Sequence, residues 1–240
     1  MAIQYDIFIF ILLLACAMIS SDTLKFLKDL EKNNTREWYA EHKKIYERAR
    51  KEFTGLLDAT ADQLNQNDVI DTKKIFRINR DVRFSKDKSP YKTNLSGYFT
   101  RASAARRGGY FIRLQPGNKS VVGGGFYAPE KEDLLRIRRE FEMDASEIEK
   151  ITSDKNFVKH FGELKGEHLK SAPRDFDKEH PNIKWIRMKQ FYAFKSFTDK
   201  EVLSPSFPID VMNTFEAIRP FFDYMSEILT TNLNGESLLG

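Results

Sequence analysis

The chain has 240 residues, 39 Lys or Arg against 35 Asp or Glu, a net charge of +4 and one cysteine. One cysteine excludes an internal disulfide, and a chain of this length buries about 70% of its unfolded surface, so its core needs no covalent or metal staple. The charge is uneven: Lys73 to Arg113 carries twelve cations and two aspartates, a net of +10, leaving −6 for the remainder. Such density repels itself unless something negative offsets it.

Residues 7–19, IFIFILLLACAMI, form one apolar run. Thirteen residues rise about 20 Å as a helix, short of a bilayer core of about 30 Å. A secretory signal would open on Lys or Arg, and here Asp6 flanks the run instead. LLAC resembles a lipoprotein cleavage box with Cys16 as the lipidated residue. The third reading takes Met18 as the true start. Residues 1–19 are therefore read as an apolar leader or a mis-assigned start, 20–230 as a single domain and 231–240 as a polar tail.

Ser21 or Asp22 can cap a short helix bearing Leu24, Leu27 and Leu30, and Asn33-Asn34 breaks it. A longer helix is expected from about Thr35 to Leu64, its buried stripe running Trp38, His42, Ile45, Ala49, Phe53, Leu56, Thr60, Leu64. The period then changes. Residues 95–100, 109–115 and 120–127 read as strands, with Pro116 to Lys119 as a hairpin turn between the last two. Pro129 opens a helix through about Phe141, Asp144 with Glu147 resembles a capping box, and a further helical piece follows near Phe157. Residues 169–181 form a polar loop, Pro181 opens a short helix, and 189–195 read as a strand. A C-terminal helix carries Val211, Phe215, Ile218, Phe222, Met225 and Leu229, with a kink expected at Pro220. The fold class is α+β: a mostly antiparallel sheet flanked by helices, with a long N-terminal helix.

The chemistry concentrates in FRINRDVRFSKDKSPYKT, residues 76–93. KIFRINR is either a strand or a helical turn, and SKDKSPY (85–91) must leave regular structure, since Ser89-Pro90 disfavours helix before Pro90. Arg77, Arg80, Arg83, Lys86, Lys88 and Lys92 face only Asp81 and Asp87. Three arginines on a loop-bounded element suit bidentate recognition of phosphate or carboxylate. The alternative is structural: Asp81 and Asp87 pair with Arg80 and Arg83 and lock the loop. Both hold at once if the remaining cations stay unmatched.

The pattern R-x-x-R-D-x-R-F-x-x-D-K-x-P-Y-K, from Arg77 to Lys92, resembles the signature of DUF2461, a widespread bacterial family of unknown function. The likeness extends from about Ser20 to Phe222 and includes NNTREWYAEHK, GGGFYAPE and LKSAPRDFDKEHP. It implies a protein of about this length beginning near Ser20. It implies no activity, catalytic residue or ligand.

Other signals are weaker. Gly123 to Gly125 precede a helix whose first turn already holds three acids, so close strand packing or a bulge is preferred over a phosphate cradle. His42, His160, His168 and His180 lack metal-ligand spacing, and no metal or cofactor is expected. Arg174 and Asp177, in the polar loop between His168 and His180, can complete an anion site, with a plain solvated loop as the preferred reading. No serine sits in a nucleophile elbow.

Three functions follow. The first is a module binding a phosphate-bearing partner, nucleic acid or phosphorylated metabolite, through Arg77, Arg80, Arg83, Lys88, Lys92 and Arg174, with Phe76, Phe84, Tyr91, Tyr98 and Phe99 stacking on bases if exposed. The second is an enzyme on an anionic substrate, with Asp81, Asp87, Lys88 or Tyr91 moving protons. The third is a scaffold whose Arg–Asp network only stiffens the loop. The expected location is cytoplasmic, without an integral membrane span; a genuine leader would make the chain a lipoprotein through Cys16.

Overall fold

A computed structural model describes residues 17–239. The readings placed on residues 1–16, including the Cys16 cleavage box, lie outside them. Among the described residues no helix is long and apolar enough to cross a membrane. The architecture is α+β. Five antiparallel strands lie in chain order: β1 (Ile70–Ile75), β2 (Leu95–Arg101), β3 (Gly109–Leu114), β4 (Ser120–Phe126) and β5 (Phe191–Phe197).

The helices are α1 (Ser21–Lys32), α2 (Arg36–Glu41), α3 (Lys43–Asn67), α4 (Lys131–Met143), α5 (Ser146–Ser153), α6 (Lys155–Phe161), α7 (Ile183–Ile186), α8 (Asp199–Val202) and α9 (Phe207–Thr230). They group with the strands into two compact units. The first runs through Phe99 and adds Phe111–Val122 and Ser196–Asn213. The second comprises Thr100–Tyr110, Gly123–Lys195 and the chain from Thr214 onward.

In the first unit, Ser20 caps α1 in place of Ser21 or Asp22, because its extended backbone aims the hydroxyl at the Thr23 amide. The Glu52 carboxylate on α3 accepts from the Ser20 amide at 2.9 Å and the Thr23 hydroxyl at 2.7 Å, which ties α1 to α3. Leu24, Leu27 and Leu30 are buried. The helix expected from Thr35 to Leu64 is two helices. Thr35 caps α2, and His42 leaves helical geometry at φ −103° and ψ 10°. Its ring stacks on Trp38 at 3.9 Å, and its Nδ1 lies 2.8 Å from the Trp38 carbonyl oxygen, so side-chain bonding competes with the helix ladder there. Beyond the break the stripe holds: Ala49, Phe53, Leu56, Thr60 and Leu64 are all buried on α3.

Of β1 only the last two residues, Lys74 and Ile75, fall in the stretch read as a strand or a helical turn. Its residues are half-exposed or exposed along the whole strand, and its polar Lys73-Lys74 centre suits the edge of the sheet. The expected turn forms after β3. Gly117 and Asn118 have φ of +81° and +61°, and their amides donate to the Asp199 carboxylate at the start of α8, at 2.9 and 3.0 Å.

In the second unit, Tyr110, Phe126, Phe141, Phe191, Phe215, Phe221 and Phe222 make an aromatic core. α4 begins one residue after its cap, Glu130, with Glu132 and Asp133 in the first turn. The expected Asp144–Glu147 box does not form. The Asp144 carboxylate instead accepts from the Ser146 amide at 2.8 Å and hydroxyl at 2.9 Å, a turn two residues long rather than three. The edge of β5 is covered by Lys165, which exchanges both backbone hydrogen bonds with Tyr192. Pro220 lies inside α9, where it lacks the amide that would bond one turn back.

Candidate anion site

Residues 76–94 form neither of the two elements read from KIFRINR. β1 ends at Ile75, and the chain runs irregularly to β2. Its ends are nevertheless tied. Asn79 and Tyr91 make an antiparallel bridge, with the Arg80 amide donating to the Pro90 carbonyl at 2.9 Å and the Lys92 amide to the Ile78 carbonyl at 2.7 Å. Asn34 clamps the same point from outside. Its amide nitrogen donates to the Tyr91 carbonyl at 3.0 Å, and its carbonyl accepts from the Tyr91 amide at 3.1 Å. Asn33-Asn34 read in the sequence only as a helix break; its second residue fastens the loop.

Inside the closed loop the charges are partly matched. Arg80 pairs with Asp87. The Arg83 guanidinium holds Asp81 in a two-point bond, Nε to Oδ1 at 3.0 Å and Nη2 to Oδ2 at 2.7 Å. Lys88 donates to the Val82 carbonyl at 2.9 Å across the loop. Acids from elsewhere also enter the basic stretch, since Lys73 pairs with Asp58, Arg107 with Asp133, and Arg101 with Asp223 at 2.6 Å. Counting along the sequence could not supply these partners, because folding brings them from distant positions. Arg77, Lys86 and Lys92 make no ion pair among the described residues.

A hollow of about 340 Å³ opens beside the bridge, lined by Asn34, Arg80, Asp87, Ser89, Lys92 and Asn94. Glu31, Tyr91 and Thr93 complete it. Of the sequence candidates, then, Arg80, Asp87, Tyr91 and Lys92 share one cavity. Arg77, Asp81, Arg83 and Lys88 do not line it, and Arg174 is exposed elsewhere, near Asp175 at 3.9 Å. Ser89, Thr93 and Asn94 escaped the sequence reading because short polar side chains in a loop carry no charge signal.

The electrostatics divide the lining into spent and available groups. The Asp87 carboxylate accepts from the Ser89 hydroxyl at 2.6 Å, the Ser89 amide at 2.9 Å and Arg80, which hold its pKa down at about 2. Asp81 is lowered chiefly by the Arg83 bond. Carboxylates so stabilised are poor proton acceptors near neutrality. Tyr91 is buried and stacks on Tyr39 at 4.1 Å and 21°. Burial, then the nearby Tyr46 and Tyr91, push Tyr39 up to about 12. Lys92 differs. It is half-buried over the Phe76 ring at 5.6 Å, and burial, then the Arg77 charge, lower its pKa.

A pH prediction follows from Asp87. A carboxyl whose folded pKa lies below its unfolded value of about 3.9 adds stability above that value and loses it as pH falls toward the folded pKa. The Arg80–Asp87 tie should therefore persist at pH 4 and open as pH approaches about 2. Carboxyl-carbon NMR of Asp87 should show a midpoint near 2, and a midpoint near 4 would mean that the Ser89 and Arg80 bonds do not form in solution.

Among the described residues no three His, Cys, Asp or Glu converge as a metal set. No curated protein and no solved structure matches the chain. One family model does, over residues 22–224, described as a conserved hypothetical protein. That match takes in the tied loop, the Asn34 clamp and the whole lining of the hollow, and the chain belongs to the DUF2461 family.

Proposed function

We propose that the hollow beside the tied loop binds a phosphate-bearing anion. The observation that carries this is the run Lys92-Thr93-Asn94. Three consecutive residues line the cavity, and their side chains make no hydrogen bond among the described residues. Burial and Arg77 both disfavour the charge on Lys92, and a bound anion beside it would favour that charge again. Charge-assisted bonds to an ammonium, with hydroxyl and amide donors beside it, suit phosphate oxygens.

Calorimetric titration of the full chain with pyrophosphate and with a mononucleotide tests this. Binding should weaken as salt rises. Lys92→Met should reduce affinity about tenfold, the usual scale for losing one hydrogen bond to a charged group. Arg77→Met should reduce it less. Unchanged affinity in Lys92→Met would remove the proposal.

The scaffold reading keeps support from the Arg80–Asp87 and Arg83–Asp81 pairs. It gains if no anion binds and Arg80→Met alone makes the loop susceptible to protease. For proton transfer the geometry offers less, since both aspartates are committed to arginines.

A further inference from the structure

We infer that the tied loop and the neighbouring face of α3 together receive a single strand of nucleic acid, with Phe84 as a base-stacking residue. This rests on the anion site proposed above and extends it to a polymer. Of the aromatics interleaved with the basic stretch, Tyr91 and Phe99 are buried and Phe76 and Tyr98 are half-covered. Phe84 alone stands out, at 96% exposure. It is not on a loose segment. The Arg83–Asp81 pair lies beside it, Lys88 reaches Val82 across the loop, and Arg80–Asp87 joins the flanks. The Arg83 guanidinium sits 6.0 Å from the Phe84 ring. An aromatic ring held out on a loop that also carries Lys86 and Arg77, which make no ion pair among the described residues, is the pairing that sequence-tolerant strand binders use: a π-face for the base and cations for the phosphates.

A second feature argues for a polymer. A shallow hollow of about 440 Å³ on α3 is lined by Lys43, Tyr46, Arg50 and Lys51, with Glu47 and Thr54. Tyr39 bridges the two hollows, 5.5 Å from Tyr46 on one side and 4.1 Å from Tyr91 on the other. All these residues belong to one compact unit. A free phosphate occupies one such position, while a strand occupies both. A membrane surface fits less well, because interfacial docking uses an apolar face and this loop exposes one large apolar side chain.

The test is fluorescence anisotropy of the full chain with a labelled oligothymidylate of about twelve nucleotides, a length within the usual site sizes. A matched duplex and phosphatidylserine vesicles serve as competitors. Phe84→Ala should weaken oligonucleotide binding about tenfold. It should leave pyrophosphate affinity and thermal stability unchanged, since the ring touches neither the hollow nor the core. Lys43→Gln with Lys51→Gln should flatten the slope of log affinity against log salt by about 1.4, two phosphate contacts on a single strand. Equal affinity of Phe84→Ala and the parent chain overturns the inference, as does stronger competition by duplex or vesicles. If pyrophosphate binds through Lys92 while the oligonucleotide does not, the strand inference falls and the anion site stands. If neither binds, both fall.

Discussion

Gly125→Ala should destabilise the protein by about 4 kcal/mol, combining backbone strain with overpacking. Gly125 has φ +147°, and a Cβ there would lie 2.2 Å from the Phe191 carbonyl oxygen and 2.5 Å from the Tyr192 Cα. Both obstacles are backbone of β5, which β4 must pair with, so neither can move aside without opening the sheet. Gly123 meets the same strand, at 2.0 Å from the Ala193 oxygen. The triple glycine therefore serves close strand approach. Gly162→Ala is the control, because its φ of +72° imposes strain while nothing lies within 4 Å of the added methyl. It should cost about 1 kcal/mol. Urea unfolding midpoints compare the two directly, and equal losses would mean that β4 and β5 are not packed as described.

Phe222→Ala should cost a similar amount, about 4 kcal/mol, and lower the melting temperature by about 12 °C. The ring is fully buried on α9. It meets Tyr110 edge-on at 5.1 Å and Phe126 edge-on at 6.1 Å, and the Arg101 guanidinium lies 5.5 Å from its centre. Truncation leaves a hole between aromatic rings whose backbones belong to β3 and β4, elements too constrained to collapse into it. Phe222→Leu keeps most of the volume and should lose about 1.5 kcal/mol. A scan in which Ala and Leu melt together would show that the site relaxes, and with it that this core is looser than its contacts suggest.

Neither substitution touches the tied loop, which belongs to the other compact unit. The loop is held by different means. One backbone bridge, one asparagine clamp and two Arg–Asp pairs do most of the holding, since only Ile78 and Tyr91 of its side chains are buried. Polar ties of this kind hold a shape while leaving donors in reach of solvent. The apolar core supplies stability, and the loop keeps Lys92, Thr93 and Asn94 open to the cavity.

Local chemistry was legible wherever one residue or one period decides an outcome. The α3 stripe from Ala49 to Leu64, three of the sheet's central strands, the Gly117-Asn118 turn and the family signature from Arg77 to Lys92 could all be read along the chain. Most of edge strand β1 could not, because an exposed edge selects charge over alternation. The break at His42 could not either, because it depends on a ring stacking back on Trp38. The candidate site shows the same division. Composition located the cations, but which of them are neutralised depends on Asp58, Asp133 and Asp223, brought in from far along the chain, and on Asn34, which closes the loop from α1's end. Charge is a property of residues, whereas its satisfaction is a property of distances, and only the folded chain sets those.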